Sequence, residues 1–360
     1  MSLLWADIPS GSEGLYGGVK AYMTNGIWAE LQGSAVELIE DPDPNITGKV
    51  LSFGLLDGGA GGATRYLLPG AVSTAGIATR IWLNNIPASA GSVPFIHQYR
   101  NSLNVITVFI IVNTAGGIGA YSYDGATSTL LGQTAGPVIT ANAWRHVESK
   151  VFFDNSAGTV EVRVEGVVVL DLDTLDTGSA QCAQVAIGTQ PNFGPSFIMP
   201  TGMKDVIFWD GLGSQNNNFF GPLGVYCLRP NADVSSGWSR TSGSTDWELL
   251  DEAPPDDAGY IYAGDPPPAP AIVGVTNLPD DIVSVRGVIS VVRAEKSDGG
   301  DGNLQVSMSP NGTDWDDGAD NPMSTAFTYY YDVSEVSPDT TDPWTPVEVN
   351  AMEVKLNRTV

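Results

Sequence analysis

Glu161, Arg163 and Glu165 alternate along Thr-Val-Glu-Val-Arg-Val-Glu, so in an extended chain all three share one face. Two carboxylates on one strand face could divide the work of nucleophile and general acid in glycoside cleavage. That chemistry needs one carboxyl held protonated, whereas a guanidinium between two carboxylates favours their ionised forms. The trio therefore reads as a charged outer surface and not as a catalytic set. His97 and His146 are the only histidines. No Gly-x-Ser-x-Gly elbow surrounds any serine to complete a Ser-His-Asp arrangement, and His146, close to Trp144, is explained by packing at a strand start.

Asp171, Asp173 and Asp176 offer oxygen ligands of the kind Ca²⁺ takes, but no full ligand set at a recognised spacing accompanies them. The loop from Asp298 through Asp301 to Asn303 lacks the bidentate Glu of a calcium hand and reads as a hairpin turn. Asp57 to Gly62 is Gly-rich but lacks the Lys-Ser/Thr of a phosphate loop. No catalytic, cofactor or metal residue is assigned, and Ca²⁺ is the one ion that the acidic residues would suit. Aromatic groups carry more information. Trp238, Trp247, Trp315 and Trp344 lie in polar loops, and Asp314-Trp315-Asp316 combines a stacking surface with acceptors, which makes it the glycan-binding candidate. Tryptophans in loops also cap cores and fill interfaces. Phe327, Tyr329, Tyr330, Tyr331 and Trp344 exceed what one small sheet buries on its own face, which makes them the candidate oligomer interface.

The elements that must carry these groups are strands. From Ala143 to Asp173 the chain reads as a β-meander: an alternating segment at Val160 to Val164, turns at Asn155 to Gly158 and at Glu165-Gly166, and a returning strand from Val167. The run Asn104 to Asn113, almost continuously apolar, reads as a central strand covered on both faces. Among 360 residues the 42 Gly and 24 Pro are spread between apolar runs, so they mark turns, and no run has helical periodicity. The expected class is all-β. The divisions read from composition are 1–25, an irregular lead-in; 26–232, a β-sandwich; 233–270, a polar, Pro-rich connection ending in Asp-Pro-Pro-Pro-Ala-Pro; and 271–360, a small antiparallel β domain.

A net charge of −25 disfavours nucleic acid and anionic membrane surfaces, which call for clustered Lys and Arg. No run is apolar enough to span a bilayer, and the N-terminus lacks a secretory signal, so the expected site of synthesis and assembly is a cytoplasm. Cys182 and Cys227 sit in apolar runs and read as buried thiols.

The Trp-led meander resembles the core of laminin-G or concanavalin-like jelly-roll domains, which implies an antiparallel jelly-roll sandwich. The succession of Asp205, Asp210, Phe219 or Phe220, Gly221, Leu228 and Pro230 resembles a pattern in tailed-bacteriophage virion proteins. That resemblance implies a non-enzymatic fibre, spike or head-decoration protein displayed on the virion. It would be trimeric, contacting other virion proteins and host surface polysaccharide. The alternative on the same sandwich is a carbohydrate-binding lectin-like protein or a glycan hydrolase.

Overall fold

A computed structural model of the chain describes residues 68, 70–86, 95–178, 181–188, 202–252, 257–265, 267–316 and 318–359 in full. It describes residues 3–7, 30–32, 36–40, 49–53, 63–67 and 69 as strand backbone. The lead-in 1–25 and the Asp57 to Gly62 loop lie outside the described residues, except that Leu3–Asp7 forms a strand where an irregular lead-in is expected. The chain divides into two units, 1–225 and 226–360. Among the described residues no helix is long and apolar enough to cross a membrane.

The first unit is built from β1 (Leu3–Asp7), β2 (Glu30–Gln32), β3 (Val36–Glu40), β4 (Lys49–Phe53), β5 (Ala63–Val72), β6 (Thr74–Trp82), β7 (Phe95–Arg100), β8 (Ile106–Val112), β9 (Ile118–Tyr123), β10 (Ser128–Gln133), β11 (Trp144–Phe152), β12 (Gly158–Val164), β13 (Val167–Leu175), β14 (Cys182–Gly188) and β15 (Gly202–Asp210). All pairings are antiparallel. One sheet runs β13-β12-β11-β6-β15-β4-β3 with β1 also on β15; the other runs β10-β9-β8-β7-β14-β5-β2. The expected meander is β11 to β13. Along β12 buried and half-buried residues alternate strictly, with Val160, Val162 and Val164 inward. Its return turn has only two residues, Glu165 at φ 51° and Gly166 at φ 77°, the left-handed pair that matches hairpin twist. β8 is buried at every position, as a strand covered on both faces must be. Cys182 is buried as expected, whereas Cys227 is exposed.

Residues 211–225 lie as a strap on the outer face of the first sheet. Its anchor is the buried Glu148, whose Oε1 accepts from the Phe220 N–H at 2.7 Å and Oε2 from the Gly221 N–H at 3.1 Å. Gly221 sits at φ 76°, and two consecutive N–H groups converging on one carboxylate need such a turn. Asp205, at a bulge in β15, accepts from the Val225 N–H at 3.1 Å and pairs with Arg80 at 3.1 Å. Arg80 in turn donates to the Leu223 carbonyl. Phe219 lies under the Arg163 guanidinium at 4.0 Å, and Phe220 meets Trp209 edge-on at 5.1 Å. Most of the residues that carry the virion-like pattern are thus the pegs of this strap.

The second unit contains β16 (Pro230–Ser235), β17 (Ser239–Arg240), α1 (Trp247–Leu250), β18 (Ile261–Tyr262), β19 (Ala271–Val275), β20 (Val288–Ala294), β21 (Asn303–Ser309), β22 (Asp320–Pro322), β23 (Thr328–Ser334), α2 (Pro346–Asn350) and β24 (Glu353–Thr359). A five-stranded sheet, β16-β19-β24-β21-β22, accompanies the pairs β17-β18 and β20-β23. The junction expected at 265–270 is corrected. β16, which already contains 233–235, pairs with β19 across the Pro-rich segment, so 236–270 is an excursion within the second unit. Prolines deny donors to that segment, yet a loop between paired strands needs none. Asp298 to Asn303 is not a hairpin turn, because β20 and β21 belong to different sheets.

Gly76 on β6 lies directly beneath Trp209, where an added Cβ would come within 2.2 Å of two ring carbons. Gly76→Ala is expected to lower stability by about 1–3 kcal/mol through overpacking. Gly70→Ala, which meets nothing within 4 Å, is expected to leave it unchanged or higher. Chemical denaturation of the two variants checks this.

Candidate functional site

Most acid–base candidates of the first unit are engaged in structure; His146 is buried with neither ring nitrogen hydrogen-bonded. Arg163 binds Glu161 at 2.7 Å on β12, whereas Glu165 lies not on that strand face but in the turn after it, where its carboxylate accepts the His146 backbone N–H at 2.9 Å. Asp171, Asp173 and Asp176 are exposed, and among the described residues no three His, Cys, Asp or Glu side chains converge to hold a metal ion. His97 does meet a serine: its Nδ1 lies 2.7 Å from Ser149 Oγ, and its Nε2 lies 3.0 Å from Thr79 Oγ1. The third member is a threonine, not a carboxylate, and His97, Thr79 and Ser149 are fully buried between the sheets. Substrate has no route to such a group. It is a structural junction, completed by the Tyr99 hydroxyl at 2.7 Å from Ser149 Oγ.

Asp314, Trp315 and Asp316 close their own turn. The Asp314 carboxylate accepts from Asn311 and Thr313, and Asp316 exchanges hydrogen bonds with the Met308 backbone in both directions. Lys355 Nζ covers one face of the half-buried Trp315 at 4.3 Å. Of the interface candidates, Tyr330 and Trp344 are core residues. Strand alternation turns Tyr330 inward between Tyr329 and Tyr331, where it packs with Leu304 and Leu356. Trp344, 2% exposed, packs with Met308 and Val349. Trp238 and Trp247 are half-buried, not exposed.

What remains on the surface of the second unit is an aromatic row. Ile261 points into the core, so its neighbours Tyr260 and Tyr262 must point out, and they are 40% and 48% exposed. The Tyr260 backbone is fixed by Thr241, whose hydroxyl accepts from the Tyr260 N–H and donates to its carbonyl. Tyr260 lies 6.3 Å from Tyr262 and 6.2 Å from Phe327 between ring centroids, with planes inclined at 67° and 62°. The three rings form a ridge rather than a flat platform. Beside it the Arg293 guanidinium sits 5.4 Å from Phe327 and 5.3 Å from Tyr329. Asp257 accepts from Arg293 Nε at 2.6 Å and from its terminal nitrogen at 2.7 Å, a planar two-bond pair that holds the Asp257 carboxyl below its usual range. The same outer face carries Val291, 43% exposed, opposite Tyr331. Sequence reasoning found Phe327, Tyr329 and Tyr331 but missed Tyr260, Tyr262, Arg293 and Asp257, which are separated from them along the chain. The alternation of Tyr-Ile-Tyr is the signal that was there to read.

No protein-family model matches this sequence, and no curated protein does. Among solved structures, the chain is similar to the carbohydrate-binding module CBM66 from Bacillus subtilis (10% identity, TM-score 0.32, covering 50% of this chain and 95% of that one). Domain 4 of AbnA, an extracellular arabinanase from Geobacillus stearothermophilus in complex with arabinotriose, is similar at 13% identity and TM-score 0.35, over 57% of this chain and 93% of that one. Alginate lyase Aly36B, in complex with an alginate trisaccharide, gives 13% identity and TM-score 0.37 over 58% and 95%. Likeness at this level carries nothing about what this chain does or binds.

The two buried histidines set an acid limit on the first unit. Burial, with a smaller repulsion from His146, lowers the pKa of His97 to about 3. Burial and the nearby Arg80 lower that of His146 to about 4. Folded pKa values depressed below the unfolded value mean that stability is complete above about pH 6.5 and falls as pH drops through that window. Glu148 acts in the opposite sense, because burial raises its pKa. His146→Phe is expected to remove about 3 kcal/mol of the loss between pH 7 and pH 4. Denaturation midpoints across that range, compared with the unmodified chain, check the sign and size.

Proposed function

We propose that this chain binds glycan without cleaving it, through the ridge of Tyr262, Tyr260 and Phe327 and the adjoining Arg293–Asp257 pair. The observation that carries this reading is the outward placement of Tyr260 and Tyr262 next to Phe327 and the Arg293–Asp257 pair. Exposed apolar groups scattered singly need no explanation, whereas rings gathered into one contiguous patch mark a surface for a ligand or partner. The C–H faces of sugar rings stack on such groups, and sugar hydroxyls find donors and acceptors in the tyrosine hydroxyls, the guanidinium and the carboxylate beside them. Absence of cleavage is supported by the pairing of Glu161 with Arg163 and by the enclosure of His97 and Ser149. Of the two readings of the sequence, the row favours the carbohydrate-binding one over a purely structural particle protein.

Self-association is a second reading, favoured by Val291, exposed beside Tyr331 on the outer face of β20-β23. With −25 on each copy, contact would have to rest on such apolar surface and strengthen with salt. Light scattering across a salt series on the unmodified chain and on Val291→Asp checks it; a monomer throughout rejects it.

Tyr260→Ala and Phe327→Ala are each expected to weaken polysaccharide binding by at least about tenfold, about 1.4 kcal/mol, with little change in melting temperature. Affinity electrophoresis in gels containing soluble polysaccharide reads the effect. Unchanged retardation in both variants would reject the site, and release of reducing ends from the polysaccharide would reject the non-catalytic assignment.

A further inference from the structure

We infer that the glycan bound by the aromatic row is an uncharged one, and that acidic polysaccharides are excluded. This rests on the reading of the row as a glycan site. The second unit holds 23 Asp and Glu against 7 Lys and Arg between residues 226 and 360, a net −16 of the chain's −25. A polyanion approaching the row meets that field, which is screened over about 8 Å at physiological ionic strength. Long-range repulsion alone would yield to salt. The local pairing does not. The guanidinium beside the row is already matched, Arg293 by both oxygens of Asp257, while Arg240, opposite the inward-facing Ile261, is turned away from the row and held by Asp246 and Asp233. A uronate or sulfate stacked on Tyr260 or Phe327 would give up water without gaining a cation, and burying an uncompensated charge is costly. Hydroxyl groups have no such requirement. The outer lone pairs of Asp257, whose side chain is 48% exposed, accept from them directly.

The experiment uses the full chain in isothermal titration calorimetry with soluble neutral polymers (galactomannan, xyloglucan) and anionic ones (alginate, polygalacturonate), at low and at physiological ionic strength. The expected result is binding to a neutral polymer that changes less than about twofold with salt and is lost in Tyr260→Ala, with no binding of either anionic polymer at either salt. Asp257→Asn, which leaves Arg293 without its counter-charge, is expected to admit the anionic polymers. Binding of alginate or polygalacturonate that Tyr260→Ala abolishes would overturn this inference and keep the glycan reading. Failure of Asp257→Asn to take up an anionic polymer while neutral binding persists would overturn its charge-pairing basis. No binding of any polymer, or binding indifferent to Tyr260→Ala, would overturn the glycan reading itself.

Discussion

Ser149 is the point at which the two sheets of the first unit are tied together. Its hydroxyl, on β11, meets His97 Nδ1 and the Tyr99 hydroxyl, both from β7 of the opposite sheet, and His97 reaches on to Thr79 of β6. Apolar contacts between sheets tolerate sliding by fractions of an ångström, whereas hydrogen bonds buried among Val, Ile and Phe side chains do not. An unsatisfied hydroxyl or ring nitrogen there costs on the order of 1–3 kcal/mol. The junction therefore fixes the relative placement of β6, β7 and β11, and burial keeps its imidazole neutral. It shows why histidine and serine within hydrogen-bond reach are not evidence of catalysis. The same pair at a cleft would be a nucleophile and its base; with water excluded, it is a fixed link in the fold.

From β11 outward, the opposite face of the same strand holds the strap. Ser149 points inward and Glu148 outward, so adjacent residues serve the inner junction and the outer anchor. Desolvation raises the Glu148 pKa, and two N–H bonds and the nearby Arg163 offset part of that rise. The pattern spanning Asp205, Asp210, Phe220 and Gly221 is thereby a folding requirement: a bulge at φ 52°, a capped turn and a carboxylate clamp. Any sandwich that closes its last strand in this manner would need similar residues, whatever its biological setting.

Legibility in the sequence followed interaction range. The β11 to β13 meander was readable because alternation and a two-residue left-handed turn are local properties, and β8 because continuous burial leaves a continuous apolar run. The unit boundary was not. Proline content describes the stiffness of a segment, but membership in a unit is decided by the pairing of β16 with β19, a long-range event that leaves no local mark. Aromatic count likewise misled at Tyr330 and Trp344, since three consecutive tyrosines in a strand must divide between its two faces. The helix α2 was legible in principle: Thr345 accepts from Glu348 N while the Glu348 side chain returns to the Thr345 N–H, with Pro at the first turn.

The size of the second unit bears on why its aromatic row stays uncovered. Two-stranded sheets have two faces and, in a unit of this length, only one face can be packed on a core. In β20-β23 the inner face is spent on Val292 and Tyr330, which join the cluster around Leu304 and Leu356. The outer face then receives Val291, Arg293, Tyr329 and Tyr331 by alternation alone. A chain selected only for solubility would put short polar groups there, as it does in the acidic loops around them. Placing Tyr260 and Phe327 next to that face, with a guanidinium over Phe327 and a carboxylate orienting the guanidinium, uses polar contacts to hold rings in the open rather than to cover them. Packing does not demand that arrangement, and the glycan reading proposed for the row rests on that difference.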